Sequence, residues 1–255
     1  NMPSQKEILE CPVCGNRARY VFESTAWKIH KSSRVFKYGE CKSCQALFCI
    51  PMPTQSEIDY IYRHYYNFDL FIKHRLLKRI QAWHRYKNLK QLFVGKNYEW
   101  NRGRLLDIGC GHGWFLEEAL REGWEAFGID HLEDDLLKKV LAKGIKFEKT
   151  SLEETTYPRN YFDLITLWHT LEHSNDPKRW LSVVSELLKT NGYCIIAVPN
   201  RNSKGLARAG VTWEWLQEPF VHIFCFSKTT LERVMPTTLN ILGTMSQDTL
   251  DQQYV

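Results

Sequence analysis

At 255 residues, 44% of them hydrophobic and 13% aromatic, the chain has room for one full α/β domain and a small appendage. No apolar stretch approaches the roughly 20 residues that span a bilayer. Asn1 to Glu7 holds no signal-peptide core, so a cytoplasmic location is expected. The formal net charge is only +5 and unevenly placed: Lys73 to Arg104 carries ten Lys or Arg against a single acid, Glu99.

Residues 8–50 read as the first domain. Four of the eight cysteines form two C-x-x-C pairs, Cys11 with Cys14 and Cys41 with Cys44, while Cys49, Cys110, Cys194 and Cys225 are scattered. In a cytosolic chain such pairs read as a metal site rather than a disulfide framework. β-type runs at 18–23 and 34–38 lie between the two knuckles, so four thiolates around tetrahedral Zn²⁺, a zinc ribbon, are expected. A unit of about 40 residues buries little apolar surface, and a metal would supply the missing stability. Four thiolates close the coordination shell, which makes the zinc structural.

Pro51-Met52-Pro53-Thr54 reads as a stiff link into a helical linker over residues 51–100 that could cap the substrate site. Ser56 is the expected cap of a helix over 57–66, and a long basic helix follows over 69–93. Its basic run has two readings: a solvated helix face, or a surface for anionic substrates such as nucleotide-sugars, acyl carriers, phospholipids or RNA.

The third domain, 101–255, opens on alternating elements. Strands are expected at 104–108, 124–130, 145–148, 162–168 and 193–198, with helices at 114–122, 133–143 and 177–189 and a turn at Asn191-Gly192. Alternation of this kind predicts a Rossmann-like, doubly wound, mostly parallel sheet.

Between the first strand and its helix stands Asp107-Ile108-Gly109-Cys110-Gly111-His112-Gly113-Trp114. Strand, glycine turn and helix start together mark where such a sheet holds a nucleotide-like ligand. In the dinucleotide pattern G-x-G-x-x-G the third glycine would fall at Trp114, and an indole there argues against NAD. The D-x-G-x-G-x-G form resembles motif I of class I S-adenosylmethionine (SAM) methyltransferases. Asp107 could then meet the amino group of SAM, with Gly109, Cys110, Gly111 and Gly113 as the backbone cradle. Asp130, ending the second strand, can accept from both ribose hydroxyls, with His131 beside it. Ser151 and Leu152, after the third strand, stand at the adenine position that the resemblance implies, and Trp168 ends the fourth strand.

Leu171-Glu172-His173-Ser174-Asn175-Asp176-Pro177 is similar to the "LEH…DP" segment of small-molecule methyltransferases related to the ubiquinone-biosynthesis O-methyltransferases. Val198-Pro199-Asn200, the Trp213 to Ser227 segment and Tyr65-Tyr66-Asn67 match as well. The resemblance implies a seven-stranded sheet closed by two antiparallel strands after the helix at 228–234. Leu239 to Met245 can be one; the polar remainder, 246–255, is short for the other, so either the last strand is abbreviated or an acceptor-binding element lies elsewhere, as on a second subunit.

Methyl transfer from a sulfonium is an in-line displacement, so alignment of donor and acceptor carries much of the rate. A hydroxyl or amine acceptor must also lose a proton. His222 is the first candidate base and His169 the second; His173 reads equally as a helix-start residue, with Glu172 holding nearby backbone amides. Tyr65, Tyr66, Trp213 and Trp215 are candidate walls of the acceptor pocket. The leading expectation is a SAM-dependent methyltransferase, releasing S-adenosylhomocysteine, that acts on a small-molecule or carrier-bound acceptor. An RNA methyltransferase gripping phosphates through the ribbon and basic helix, and a non-catalytic SAM-fold binding module, stay open as alternatives. The ribbon shows no dense basic–aromatic surface, which weighs against nucleic acid. Oligomeric state is not legible.

Overall fold

Each C-x-x-C pair is followed by a residue that can turn the chain left-handed, and this sets the ribbon. Gly15 (φ 72°) follows Cys14 and Gln45 (φ 60°) follows Cys44, so both knuckles close back on their strands. The closing bonds run from the Cys11 amide to the Asn16 carbonyl (2.8 Å) and from the Cys41 amide to the Ala46 carbonyl (2.9 Å). The computed structural model describes residues 8–23, 36–54, 56–58, 75–93, 103–216, 221–247 and 252–254. Four strands form the ribbon: β1 (Ile8–Glu10), β2 (Arg17–Glu23), β3 (Lys37–Cys41) and β4 (Leu47–Ile50). All of their pairings are antiparallel. Of the strand expected at 34–38, residues 34 and 35 lie outside the described residues, and β3 begins at Lys37.

The chain divides into two compact units. One comprises Asn1–Tyr66, His169–Ser182 and Ile196–Val255; the other comprises Asn67–Trp168 and Val183–Ile195. In the first unit the lead-in opens on a capping box at Thr54 rather than on Ser56. The Thr54 amide donates to Glu57 Oε2 (2.8 Å), and the Glu57 amide donates back to Thr54 Oγ1 (3.4 Å). The rest of the helix expected over 57–66, and with it Tyr65, Tyr66 and Asn67, lies outside the described residues.

In the second unit the basic helix α1 is described over Arg75–Leu92. The sheet that follows is built from β5 (Arg104–Ile108), β6 (Glu125–Ile129), β7 (Lys146–Glu148) and β8 (Phe162–Trp168), linked through helices α2 (Trp114–Arg121) and α3 (Asp134–Leu141). β5 pairs in parallel with β6 and β8, and β6 pairs in parallel with β7. Leu105, Leu106, Leu164, Ile165 and Leu167 are fully buried, as continuous apolar runs are in strands covered on both faces. Each such side chain contributes about 1.5–3 kcal/mol of transfer free energy.

Helix α4 (Pro177–Leu187) stops two residues before the expected end, and β9 runs unbroken from Leu188 to Pro199. The turn expected at Asn191-Gly192 is a bend within that strand, marked by Asn191 at φ 66°. Past Ile196 the strand belongs to the first unit. There Ala197–Pro199 pairs antiparallel with β12 (Gln252–Tyr254), and β12 with β11 (Met245–Gln247). The strand order is β11-β12-β9-β8-β5-β6-β7, seven in all. Both closing strands are thus short, and the one expected over 239–245 starts only at Met245. The residues before it include Gly243 and polar Asn240, poor material for a paired strand. The first unit also holds α5 (Lys204–Ala209), β10 (Phe224–Cys225) and α6 (Lys228–Val234), the last capped by a Ser227–Thr230 box. β10 pairs with β4, giving the ribbon a fifth strand from a distant part of the chain. Among the described residues no helix is long and apolar enough to cross a membrane.

Candidate functional site

The glycine turn folds as its spacing requires. Gly109, Gly111 and Gly113 have φ of 72°, 51° and 66°, the left-handed region that costs glycine nothing. They serve different ends. A Cβ on Gly113 would lie 2.7 Å from Ile145 Cδ1, so this glycine lets helix and sheet pack. A Cβ on Gly111 would meet no atom of the described residues within 4 Å, so among them that face of the turn is open for a ligand. Cys110 is buried, and its Sγ would stand 2.7 Å from a Cβ on Gly128, which explains the glycine in β6.

Two carboxylates flank this turn from adjacent parallel strands. Asp130 accepts from the Gly111 amide through Oδ2 and from the His131 amide through Oδ1, both at 2.7 Å. It thereby braces the turn and keeps lone pairs for further donors. Asp107 is only 3% exposed and accepts from Thr166 Oγ1 at 2.7 Å. Burial pushes its carboxyl up to about 7; the Thr166 hydrogen bond and the Arg85 charge pull the other way, and the Asp130 charge adds to the rise. A buried carboxylate so placed gains from a cationic ligand group.

Around the turn, His112 stacks on Trp114 with centroids 4.4 Å apart, and burial drops its imidazole to about 4. Trp168 is nearly buried and packs edge-on against Phe115 at 5.3 Å. Ser151 precedes the short helical turn Leu152–Glu154 and donates to Glu154 Oε2 (2.9 Å), while Leu152 is buried. Asp107, Gly109, Cys110, Gly111, Gly113, Asp130, His131, Ser151, Leu152 and Trp168 all lie in the second unit.

Two residues of this region escape sequence reasoning. Thr166 was legible as the one hydroxyl in an otherwise apolar strand core, opposite Asp107 in register. Arg85, whose guanidinium lies 5.6 Å from the Trp168 ring centre, was hidden within a basic run. Much of that run is paired. Arg79, Lys90 and Arg104 meet Glu117, Glu122 and Glu125, and Lys87 lies over Trp83.

In the first unit the three candidate histidines gather around Glu172. His169 takes φ 55°, a left-handed conformation unusual for a side-chain-bearing residue, and its amide donates to the Ala197 carbonyl (2.8 Å). Its Nδ1 is 3.6 Å from Glu172 Oε1, and its ring stacks on Trp215 at 5.2 Å. His222 lies 5.1 Å from His173 and 5.0 Å from Trp215, centroid to centroid. Burial drops both His173 and His222 to about 3, so both are neutral at physiological pH. Glu172 is fully buried, and neither carboxylate oxygen has a hydrogen-bond partner among the described residues. Among the described residues it accepts from no backbone amide. The cause is its place on the short turn Leu171–His173, which leaves its side chain among the rings. Ligand atoms of Glu172, His173 and His222 lie within 4.8 Å of one another, a set able to hold a divalent cation.

The four paired cysteines converge. Cys11 Sγ lies 3.5 Å from Cys44 Sγ, and Cys14 Sγ lies 3.6 Å from Cys41 Sγ. With Zn–S bonds of about 2.3 Å a tetrahedron has S–S edges of about 3.8 Å, so the set fits zinc. All eight cysteines are free of disulfides.

Residues 62–238 match the family described as "Methyltransferase domain". A ubiquinone biosynthesis O-methyltransferase of Cereibacter sphaeroides is 36% identical over 118 residues, covering 44% of this chain and 48% of the relative. The chain thus spans about half the length of the curated relatives it matches. A SAM-dependent methyltransferase structure from Archaeoglobus fulgidus is 26% identical, with a TM-score of 0.51, covering 65% of this chain and 71% of that one. A chain from the complex of the Haloferax volcanii Trm112 methyltransferase activator with a methyltransferase gives a TM-score of 0.55 at 18% identity, over 71% of this chain and 79% of its own; that likeness is one of fold.

Proposed function

The chain belongs to the methyltransferase-domain family, and on that premise we propose that it transfers a methyl group from SAM to a small-molecule or carrier-bound acceptor. One observation carries this reading: a glycine turn, open at Gly111 among the described residues, flanked by the buried Asp107 carboxylate and the half-buried Asp130 carboxylate at the ends of neighbouring parallel strands. When bound, SAM supplies a methyl group already activated on a sulfonium.

The chain's own residues then have separate tasks. Asp107 supplies a counter-charge for the donor's ammonium, and Thr166 orients it. Asp130 offers its remaining lone pairs to the ribose hydroxyls while holding Gly111. His131, Ser151 and the Leu152 amide line the nucleoside side, and the Trp168 ring supplies an apolar wall. Most of the acceleration comes from holding donor and acceptor in line. The acceptor's proton passes to a histidine, His222 in the first place and His169 in the second. Glu172 next to His169 would stabilise the imidazolium that forms. Cys11, Cys14, Cys41 and Cys44 hold a structural zinc ion. The O-methyltransferase name of the curated relatives favours a hydroxyl acceptor. The acids paired to the basic helix speak against the RNA reading, since those cations already have partners.

SAM and S-adenosylhomocysteine should each raise the thermal midpoint by several degrees at saturation, whereas NAD should not. No shift with either sulfur ligand sinks the proposal. Once an acceptor is found, His222→Ala should cut turnover by about a hundredfold or more with SAM affinity retained; unchanged turnover removes His222 as the base.

A further inference from the structure

The ribbon and the histidine cluster belong to one unit, and three separate ties join them. First, β4 pairs with β10, Phe48 against Phe224 and Leu47 against Cys225. The Cys49 amide extends this ladder to the Ile223 carbonyl (2.9 Å), and the Tyr38 hydroxyl donates to the carbonyl of His222 (3.4 Å). Second, Thr230, buried in the capping box of α6, donates through Oγ1 to the carbonyl of Cys44 at 2.9 Å. Third, Arg201 donates to the Gln45 carbonyl (2.6 Å) and pairs with Glu40 on β3, while its own amide bonds to Phe226 (2.9 Å). The chain of contacts ends at the cluster, because the Ile223 amide donates to the carbonyl of Glu172 at 2.9 Å.

We propose that the four-cysteine metal centre is a brace for the Glu172, His173 and His222 cluster, so that metal loading governs the acceptor-side histidines and leaves donor binding alone. This rests on the reading of the cysteines as a zinc site. β10 is two residues long and, among the described strands of the ribbon sheet, neighbours only β4, too short a pairing to hold its place by itself. β4 in turn follows the Cys41–Cys44 knuckle, whose thiolates meet those of Cys14 and Cys11, so loss of the metal would free the start of the strand. Among the described residues the buried Glu172 carboxylate has no hydrogen-bond partner, which favours opening to water as soon as its surroundings loosen. The donor cradle draws on none of these ties: Asp107, the glycines and Asp130 all lie in the other unit.

The test compares the purified protein as loaded, after zinc removal by a chelator, and as the Arg201→Met and Arg201→Lys variants. Zinc is quantified by mass spectrometry, S-adenosylhomocysteine affinity by calorimetry, and the reactivity of His169, His173 and His222 by diethylpyrocarbonate labelling mapped on peptides. Zinc removal should speed labelling of these histidines about tenfold or more while ligand affinity stays within about threefold, the signature of local opening. Arg201→Met should speed labelling with zinc retained, and Arg201→Lys should restore most of the protection. Unchanged protection in the zinc-free protein overturns the brace, as does loss of ligand binding in step with protection. Purified protein without zinc and with four freely titrating thiols overturns the zinc reading instead. Arg201→Met then decides the brace by itself: unchanged protection overturns it, and faster labelling upholds the tie.

Discussion

Asp107 is the residue on which ligand binding should turn most visibly with pH. Its carboxyl is pushed up to about 7, so it shares a proton with solvent near neutrality. A folded-state value above the unfolded one means that the protonated form stabilises the empty fold, and that this contribution is lost as pH rises through about 7. A cationic ligand needs the ionised form. S-adenosylhomocysteine affinity should therefore hold above pH 7 and fall by up to about tenfold per unit below it; calorimetry between pH 5.5 and 8 measures this. Asp107→Asn should flatten that profile and weaken binding at every pH, and a profile identical to the parent's would rule Asp107 out as the counter-charge. Gly113→Ala sets a side chain at φ 66° and 2.7 Å from Ile145 Cδ1. It should cost about 1–3 kcal/mol in denaturant unfolding. The need for glycine here was legible from spacing alone; the partner that imposes it, Ile145, was not, because it comes from beyond α3.

Helix α1 reads in the sequence as a basic face, and its charges divide once acids from elsewhere are placed. Lys90 with Glu122 is a partly exposed pair at 2.7 Å, and a double-mutant cycle should return less than about 1 kcal/mol. Arg85 behaves differently, since its charge helps hold Asp107 down. Arg85→Met should move the pH dependence of ligand binding upward, and calorimetry at pH 7 and 8 would find the largest loss at pH 7. An unshifted profile would mean that Arg85 does not act on Asp107. Periodicity located this helix, but which cations face acids and which face the cradle depends on rotation against α2, to which no single helix pattern has access. The capping box at Thr54 was readable as T-x-x-E and yields a cap two residues earlier than Ser56.

At the scale of the whole molecule, the ribbon recruits a strand from near residue 224, so the boundary at 50 does not separate its sheet from the rest. Zinc loss should accordingly lower the thermal midpoint beyond what an appended module would, with donor binding still stabilising the remaining fold. A scan of the zinc-free protein with and without S-adenosylhomocysteine checks this.

The alternation of strands and helices, the glycine turn, its two acids and the pairing of the cysteines were legible along the chain, because each is written within a few consecutive residues. Local periodicity and local turn chemistry suffice for those. Folding alone brings His169, His173 and His222, each half-buried, around the buried Glu172, and pairs ribbon strand β4 beside them. Those groups lie up to 175 positions apart, Leu47 to His222. What joins them is burial and backbone pairing at long range, which leave no periodic trace in the chain.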